Sequence, residues 1–258
     1  MSNSSKQGSK IVLITGGSRG LGRSAALQLA ERGHDLIITW QNNEEAAKHV
    51  VAQIEKTGRR ALALKLDVGN SASFPAFAES LRKNLEQHWQ RKTLDALVNN
   101  AGGSLHASFA ETTEAQFDEV MRVHLKGTFF LTQALLPLIA DGGQILNVSS
   151  GLPRFSFAGS SAYGAMKGAV EVLTRYLAQE LGERRIRANV LAPGAIATDF
   201  SGGMVRDNPE VNAQIASATA LGRVGEADDI GRAVAMLLSD DSGWINGQRI
   251  EASGGMRL

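Results

Sequence analysis

The stretch TGGSRGLG, residues 15 to 22, follows directly on the first apolar run of the chain, KIVLIT (10–15). Glycine lets the backbone approach a pyrophosphate closely, and the amides at the start of a helix attract its negative charge. The spacing Gly16-x-x-x-Gly20-x-Gly22 differs from the G-x-G-x-x-G of the standard dinucleotide fingerprint, and a purely structural tight turn is the alternative. Its position after the first strand favours a dinucleotide-binding α/β fold.

Short apolar runs and helical patterns alternate from this turn nearly to the end of the chain. The predicted strands are 10–15, 35–40, 60–68, 94–102, 143–150, 186–194 and 248–252. The predicted helices are 24–33, 44–58, 72–89, 113–140, 228–240 and the one that carries residues 160–170. Apolar strands separated by helices indicate a parallel sheet covered on both faces. The sequence therefore predicts one doubly wound α/β domain of the Rossmann type over 10–258, with a seven-stranded, mostly parallel sheet, after a disordered tail over 1–9.

The composition argues against several classes of function. Lys and Arg number 27 and Asp and Glu 26, and the net charge of +1 gives no reason to expect nucleic acid or an anionic membrane as a partner. Without cysteine, neither a disulfide nor a thiolate metal site forms, and no metal site is predicted. No apolar run reaches the ~18 residues that a membrane span needs, and no signal peptide is recognisable before Ile11. We expect a cytoplasmic enzyme.

Tyr163 and Lys167 stand four positions apart in SSAYGAMKGAV, residues 160 to 170. On a helix this spacing places both side chains on one face, one turn apart. A phenol ionises near pH 10, and it serves as an acid or base at neutral pH only if its pKa falls, which a lysine cation close by would favour. The pair predicts a tyrosine acid/base tuned by a lysine. A helix tyrosine beside an unrelated surface lysine is the alternative.

Five motifs, in order, resemble those of the short-chain dehydrogenase/reductases. They are TGGSRGLG, DV at 67–68, NNAG at 99–102, YGAMK at 163–167 and PGAIATD at 193–199, and Ser150 adds a match thirteen residues before the tyrosine. The resemblance covers residues 10 to 255. It implies an oxidoreductase that interconverts a carbonyl and a secondary alcohol by hydride transfer. Tyr163 would be the acid/base, Lys167 its tuner and a donor to the nicotinamide ribose, and Ser150 a donor to the substrate oxygen.

The resemblance also implies where a dinucleotide would bind. The turn glycines would line the pyrophosphate, Asp67 and Val68 the adenine, Asn99 and the residues after it the adenosine ribose, and the stretch 193–198 the nicotinamide carboxamide. The predicted cofactor-binding residues are Gly16, Ser18, Arg19, Gly20, Leu21, Gly22, Asn42, Asp67, Val68, Asn99, Ala101, Gly102, Tyr163, Lys167, Pro193, Gly194, Ile196 and Thr198.

The choice of dinucleotide depends on the end of the second strand. NAD needs a carboxylate there, about 20 residues beyond the glycines, to accept from the ribose 2′-hydroxyl. The strand ends ITWQNN, and Asp35 lies at its opposite end. Arg19, in the glycine turn, could meet a 2′-phosphate, so NADP(H) is the predicted cofactor. A solvated turn residue is the alternative for Arg19.

One position departs from the resembling family. Its members usually carry an asparagine in the long central helix, which anchors a water of the proton relay. This sequence reads VHLKG there, with His124 in the place of the asparagine. His124 is therefore a fourth candidate catalytic residue, since its side chain or its backbone carbonyl could hold the water. A satisfied core histidine is the alternative.

Two other functions stay open on the same fold: a non-catalytic dinucleotide-binding sensor or scaffold, and an isomerase or lyase. The intact set of Ser150, Tyr163 and Lys167 favours the oxidoreductase, because a pure binder has no physical need for it. Candidate walls of the substrate pocket are mostly apolar and predict a neutral or weakly polar small molecule. They are SLHASF, GLPRFSF, Phe200 and Met204, with His106 and Arg154 as polar exceptions.

Residues 199–222 follow directly on the nicotinamide stretch. The Gly202-Gly203 pair offers a hinge, and Pro209 begins a short helical pattern. This segment is predicted to form a mobile substrate lid.

The helix over 163–181 carries apolar side chains over about half its circumference, more than the ~100° stripe that covers one face of a sheet. The preceding helix, with FFLTQALLPLI, is equally apolar. A monomer would leave this surplus wet, and in the resembling family these helices pack across a two-fold axis. A homodimer or tetramer is therefore predicted. Burial on both sides within one chain is the alternative.

Overall fold

The computed structural model describes residues 9–258. Of the tail predicted over 1–9, only Ser9 falls within this range, and residues 1–8 lie outside the described part of the chain. Ser9 and Lys10 lead into the first strand without regular secondary structure.

Seven strands, numbered β1 to β7 in chain order, span Ile11–Ile14, Asp35–Trp40, Ala61–Lys65, Leu94–Asn99, Ile139–Val148, Arg187–Pro193 and Arg249–Ala252. They lie in the order β3-β2-β1-β4-β5-β6-β7, and the neighbouring strands run parallel. The predicted seven-stranded sheet is confirmed, and within residues 9–258 it is parallel throughout. Because the strand order reverses between β1 and β4, a crevice opens there at the carboxyl ends of the strands.

Among residues 9–258, nine α-helices, α1 to α9, span Gly20–Glu31, Glu44–Glu55, Phe74–Trp89, Glu114–Met121, Gly127–Leu135, Ser161–Glu180, Met204–Asp207, Pro209–Ser217 and Ala227–Leu237. Helices α1, α2 and α9 pack on one face of the sheet, and α3, α5 and α6 pack on the other. The doubly wound arrangement is confirmed.

Strand β1 shows why the predicted strands are apolar at every position. Val12 and Ile14 face the cluster under α1, α2 and α9, whereas Ile11 and Leu13 face the opposite cluster. All four are fully buried, and each such side chain contributes roughly 1.5–3 kcal/mol to stability. A strand covered on both faces has no position left for a polar side chain.

The helix predicted over 113–140 is interrupted, which corrects one expectation. A π-helical turn, Arg122–Lys126, separates α4 from α5, and β5 already begins at Ile139. Pro137 ends the helical stretch, because it has no amide hydrogen to donate. Such π turns occur frequently at functional sites, and this one carries a candidate catalytic residue. The other predicted elements differ from the observed ones only at their ends.

The segment 199–222, predicted to be a lid, folds into a 3-10 turn followed by α7 and α8. Ser201, Gly202 and Gly203 have consecutive φ values of 55°, 68° and 80°. Three successive residues in the left-handed region reverse the chain direction, and the two glycines adopt it at little cost. The mobility of this segment stays a prediction.

Candidate active site and dinucleotide cradle

The glycine turn connects β1 to α1 at the carboxyl edge of the sheet. Gly16 and Gly20 have φ values of 67° and 54°, in the region that favours glycine. A Cβ on Gly22 would clash with the Gly16 carbonyl and would lie 2.6 Å from Nδ2 of Asn100. The three predicted glycines therefore allow a loop that closes tightly on itself, with its backbone facing the crevice.

Two polar side chains support this turn, and sequence reasoning missed both. Oγ1 of Thr15 accepts from the amides of Asn100 and Ala101, each at 3.0 Å. Nδ2 of Asn100 donates to the carbonyl oxygens of Thr15 and Gly16 at 2.9 and 3.2 Å. The motif NNAG contained the signal for Asn100. It did not indicate which of its two asparagines faces the turn.

The other asparagine of the motif, Asn99, keeps its side chain in the core, and its predicted place beside the adenosine ribose stays a prediction for its backbone. Its side chain is buried, and its Nδ2 donates to Oγ1 of Thr132 at 3.0 Å and to Oδ1 of Asn147 at 2.8 Å. Asn99 is the last residue of β4, and its side chain points into the polar part of the core. A ribose could therefore be bordered only by its backbone and by the exposed or half-exposed Ala101 and Gly102 beyond it.

The start of α1 is able to receive a phosphate. Arg19 precedes the helix in an extended conformation and makes no side-chain capping bond, so the first amides of the helix keep their capacity to donate. Ser18 is partly exposed, whereas Leu21 packs against the core and offers only its backbone. A Cβ on Gly20 would have Thr198 as its nearest neighbour, at 3.9 Å. The residues present fit a pyrophosphate between the turn and the stretch after β6.

The predicted adenine site lies beyond the ends of β2 and β3. Oδ1 of Asp67 accepts from the amide of Gly69 at 2.8 Å, and Oδ2 lies 4.0 Å from the guanidinium of Arg122. The carboxylate is therefore held in place by a hydrogen bond, and it makes no close ion pair that would prevent it from binding a ligand. Val68 is half-buried beside it, and Asn42 is exposed in the loop between β2 and α2.

The stretch after β6 forms the opposite wall of the crevice. Pro193 is the last residue of β6, and Gly194 and Ile196 lie partly exposed beyond it. Thr198 is buried, and its Oγ1 accepts from the amide of Phe200 at 3.3 Å. The hydroxyl hydrogen of Thr198 is thus left for another acceptor.

The structure brings Ser150, Tyr163 and Lys167 together. Ser150 stands two residues after β5, Tyr163 lies in the first turn of α6, and Lys167 follows one turn later on the same face. Lys167 is 6% exposed, its Nζ donates to the carbonyl oxygen of Val148 at 2.7 Å, and the same Nζ lies 5.6 Å from the centre of the Tyr163 ring. The ammonium group therefore faces the phenol ring instead of the open solvent.

The ionisation of this pair differs from the expectation. Burial raises the pKa of the Tyr163 phenol above its ordinary value, and a hydrogen bond with Ser150 opposes this only in part. Burial also lowers the pKa of Lys167 to about 8. The predicted lowering of the tyrosine pKa is wrong for this structure, because burial outweighs every favourable interaction with the phenolate. The phenol is protonated at neutral pH.

His124 lies in the π turn and is 3% exposed. Its ring meets the Tyr163 ring edge to face, with centres 5.1 Å apart and an interplanar angle of 84°. Nε2 lies 2.9 Å from the carbonyl oxygen of Gly103. A carbonyl only accepts, so Nε2 carries the hydrogen and Nδ1 is an acceptor. Burial lowers the pKa of His124 to about 3, and the imidazole is neutral.

The Nδ1 atom of His124 is buried and has no hydrogen-bond partner in the described part of the chain. It packs over Gly102, where a Cβ would lie 3.0 Å from it. The backbone carbonyl of His124 accepts from the hydroxyl of Thr128 at 2.8 Å. The structure matches neither predicted role of His124 in full. As a core histidine it has a hydrogen-bond partner for only one of its two ring nitrogens, and as a residue that holds a water its free nitrogen is shielded from solvent. Its catalytic role stays a prediction.

The predicted pocket walls divide into two groups. Phe200 faces the site, with its ring centre 6.2 Å from that of Tyr163. Arg154 does not, because its guanidinium donates to the carbonyl oxygens of Met256 and Arg257 and pairs with Glu251. The interpretation of Arg154 as a polar residue of the pocket is therefore wrong, and the reason is a set of long-range contacts that no local pattern encodes.

Within residues 9–258, no helix combines the length and the apolar character needed to cross a bilayer. No group of three or more His, Cys, Asp or Glu side chains converges there in the manner of a metal site. The cytoplasmic location expected from the sequence stays a prediction.

Known proteins resemble this chain over nearly its whole length. A family model described as enoyl-(acyl carrier protein) reductase matches residues 16–257. Hydroxynaphthalene reductase-like protein Arp2 of Metarhizium brunneum is 36% identical over 258 residues, which cover 95% of this chain and 94% of that protein.

Two solved structures are similar to this chain in both fold and sequence. The promiscuous reductase LugOII, described as catalysing keto-reduction at C1 during lugdunomycin biosynthesis, has a TM-score of 0.91 at 38% identity and covers 96% of this chain and 98% of its own. The angucycline C-6 ketoreductase LanV with bound NADP has a TM-score of 0.91 at 37% identity, over 96% of each chain. The resemblance read from the motifs is thereby confirmed, and the chain belongs to the short-chain dehydrogenase/reductase family of oxidoreductases.

Proposed function

We propose that this protein is an NADPH-dependent reductase that converts a ketone into a secondary alcohol. One observation carries the proposal: Tyr163 lies beside Ser150 and the Lys167 ammonium group, at the crevice that also holds the glycine turn. The solved relatives whose descriptions name ketoreduction support it. A phenol that gives its proton to a carbonyl oxygen leaves a phenolate, and the Lys167 cation beside the ring is able to stabilise that charge.

The chain's own residues supply the proton and the orientation. Bound NADPH would supply the hydride. Ser150 donates a hydrogen bond that fixes the substrate oxygen near the Tyr163 hydroxyl, and Tyr163 gives its proton to that oxygen as negative charge develops. The phenolate that remains is stabilised by the Lys167 ammonium. The Phe200 ring beside Tyr163 helps to exclude water from this step.

The proposal of NADPH over NADH rests on the ends of β2. Asp35 lies at the amino end, where it accepts from Nε1 of Trp89 at 2.8 Å and pairs with Arg60. It is therefore unable to bind a ribose at the carboxyl end. There, Asn42 is neutral and Arg19 is exposed, and a guanidinium is suited to a 2′-phosphate. The NADP bound to LanV supports this choice.

We propose a planar polycyclic aromatic ketone as the substrate class. The names of the relatives, a hydroxynaphthalene reductase-like protein and an angucycline ketoreductase, support this class. In this chain Phe200, whose ring centre lies 6.2 Å from that of Tyr163, is 45% exposed, and Met204, four residues later, is 49% exposed. Apolar and aromatic side chains in such a position bind a flat aromatic ligand by stacking and burial.

A panel of ketones tests the proposal. Purified protein is mixed with NADPH and polycyclic or simple ketones, and both the loss of nicotinamide absorbance and the alcohol product are measured. We expect one alcohol per NADPH consumed. A sensor or scaffold would bind NADPH and turn over nothing, and an isomerase or lyase would form product with no net loss of NADPH. Either result would overturn the proposal.

We further propose that the protein is a homodimer or a tetramer built from dimers. Helices α5 and α6 present an apolar surface formed by Phe129, Phe130, Val172 and Tyr176, which are between 41% and 63% exposed. This exposure counts against the alternative that α6 is covered on both sides by its own chain. In sedimentation, a mass near one 27.4 kDa chain would refute the assembly. Val172→Glu should dissociate it, because the charge would enter an apolar interface.

The segment 199–222 is proposed as the substrate lid. It begins next to the catalytic tyrosine, at Phe200, and its three successive left-handed residues, 201–203, form a sharp turn that could act as a hinge. Hydrogen exchange measured with and without NADPH and ketone tests it. Strong, uniform protection of the segment without ligands would contradict a lid.

A further inference from the structure

The last residues of the chain touch three segments that surround the active site. We call residues 253–257 the C-terminal clasp. It follows β7 directly, and its Gly254 and Gly255 have φ values of 64° and 78°. With these two left-handed residues the chain bends back across the carboxyl edge of the sheet.

The first contact of the clasp is with the loop after Ser150. The Arg154 guanidinium donates to the carbonyl oxygens of Met256 at 2.5 Å and Arg257 at 2.7 Å, and it pairs with Glu251 at 2.9 Å. The guanidinium groups of Arg154 and Arg257 each lie 5.4 Å from the centre of the Phe155 ring. The Arg154 side chain therefore binds two backbone carbonyl oxygens that lie outside any helix or strand.

The second contact is with the end of the segment 199–222. Residues 218–221 and 254–257 run antiparallel: the amides of Ala220 and Leu221 donate to the clasp, and the amide of Arg257 donates back to Ala218. The pairing is close, because a Cβ on Gly255 would lie 2.8 Å from the Cβ of Ala220. This two-stranded contact joins the lid segment to the clasp by its backbone.

The third contact is made by the first residue of the clasp and by β7, the strand that leads into it. A Cβ on Gly194, in the nicotinamide stretch, would lie 2.8 Å from Cα of Ser253. The amide of Gly194 donates to the last carbonyl of β7, that of Ala252, at 3.1 Å. Arg249, on the same strand, donates to the backbone carbonyl of Ser150 at 3.0 Å and pairs with Glu171 of α6 at 2.8 Å. The same strand and clasp thus fix the backbone of the catalytic serine and hold Arg154 four residues later.

We infer that Arg154 is a positioning residue for substrate binding: by holding the C-terminal clasp, it keeps the loop after Ser150 and the lid segment in one arrangement around the substrate. Arg154 touches neither substrate nor cofactor in this role. The part that concerns substrate rests on the proposed ketone reduction, whereas the coupling of the clasp to residues 199–222 does not.

The test compares two arginines with the same kinds of contact at opposite edges of the sheet. Arg184 donates to the carbonyl oxygens of Leu136 and Ile139 and pairs with Asp141, far from the clasp in the chain. Arg154→Ala and Arg184→Ala remove equivalent bonds, so a general loss of stability should affect both alike. Hydrogen exchange, NADPH affinity and ketone kinetics are measured for both variants.

We expect faster exchange over 199–222 in Arg154→Ala, with no such change in Arg184→Ala. In Arg154→Ala we also expect KM for the ketone to rise about tenfold, kcat to fall less than about threefold and NADPH affinity to stay unchanged, since binding geometry and not chemistry is altered. Equal exchange over 199–222 in the two variants would overturn the inference. So would an unchanged KM in Arg154→Ala.

A second variant keeps the inference testable if Arg154→Ala fails to fold. Gly255→Ala leaves Arg154 intact but adds a methyl group at a left-handed position against Ala220. It should loosen the same pairing and speed exchange over 199–222, and normal exchange there would contradict the inference. If no ketone is reduced even by the parent protein, the proposed function fails, while the exchange pattern without ketone still decides whether Arg154 couples the clasp to the lid.

Discussion

At the amino-terminal edge of the sheet, the charged side chains around one cleft meet opposite charges, whereas at the carboxyl edge the buried groups of the candidate site, Tyr163, Lys167 and His124, meet apolar surroundings and backbone carbonyls. Around a cleft of about 300 Å³ at the amino edge, Lys10 pairs with Asp240 at 2.7 Å and lies near Asp95, which pairs with Arg91 at 2.7 Å. These pairs are partly exposed, and each contributes little to stability and has no evident chemistry.

At the carboxyl edge, three ionisable groups have pKa values shifted away from their ordinary values. Burial lowers the pKa of Lys167 to about 8 and that of His124 to about 3, and it raises that of Tyr163. In each case burial favours the neutral form, and no opposite charge offsets it. The candidate site therefore lies where ionisation costs folding energy, which is the condition under which a bound ligand can change a protonation state.

The largest expected effect is at Tyr163, the proposed acid. Tyr163→Phe removes one proton and little volume, so turnover should fall by ~10² to 10⁴, the usual contribution of a general acid. NADPH affinity should hardly change. Tyr176→Phe, at the other tyrosine of the chain on an exposed face of α6, is the matched control and should turn over normally. Turnover of the Tyr163 variant within a few-fold of the parent would contradict the proposed chemistry.

Next in size is the effect on cofactor choice. Arg19→Ala should weaken NADPH binding by ~1.5–3 kcal/mol, or about 10- to 150-fold, since a hydrogen bond to a charged group is lost. NADH binding should stay the same. Arg23→Ala, one turn further along α1 and bonded to Gln53 at 3.2 Å, serves as the control. If Arg19→Ala weakens both cofactors equally, Arg19 does not bind the 2′-phosphate.

The buried His124 predicts an acid sensitivity at the carboxyl edge. Burial also lowers the pKa of His34 at the amino edge, so a variant of His124 is needed to isolate its contribution. The folded pKa of His124, about 3, lies below its ordinary 6.5, so the unfolded chain takes up a proton first as the pH falls. This contribution to stability is complete above pH 6.5 and is lost towards pH 3, at about 1.4 kcal/mol per pH unit. Urea unfolding from pH 7 to pH 4.5 measures it.

His124→Asn should reduce that slope, whereas His49→Asn, at an exposed position on α2, should leave it unchanged. Equal slopes for the parent and the His124 variant would show that the imidazole is charged in the folded protein. Burial would then favour the neutral form only at Lys167 and Tyr163, and not at His124.

The smallest effect is expected at the amino edge. Lys10→Met removes the pair with Asp240, whose side chain is 48% exposed. The free energy of unfolding should fall by about 1 kcal/mol or less, and turnover should stay within about twofold. A large loss of turnover, measured in the same NADPH assay, would mean that charges at this edge also act on the site.

Local patterns were sufficient to predict the sheet and the glycine turn, because both depend on short-range periodicity and backbone conformation. Strand β2 has the predicted bounds, and Tyr163 and Lys167 lie on one face of α6 as their spacing indicates. Burial within the tertiary structure was not encoded locally. It decided that Asn99 points into the core and that the pKa of Tyr163 rises.

Long-range contacts explain the other misses. Arg154 binds carbonyls more than a hundred residues away in sequence. The predicted long helix is interrupted by the π turn over 122–126 and gives way to a 3-10 turn at Pro137. The contacts of Arg154 and the π turn have no short-range signature in the sequence. Pro137 does have one, because proline disfavours the interior of a helix.

We propose that the site keeps Lys167 buried, at a cost to stability, because catalysis needs its charge. Lys167→Met tests it most directly, with turnover and the free energy of unfolding measured on the same sample. We predict that turnover falls by ~10² to 10³ and that stability at pH 7 is equal to or above that of the parent. The parent's gain in stability between pH 8 and 10.5, where the unfolded lysine still holds its proton and the folded one has lost it, should vanish in the variant. A variant that retains turnover within about tenfold, or that loses more than about 1 kcal/mol of stability at pH 7, would contradict the account.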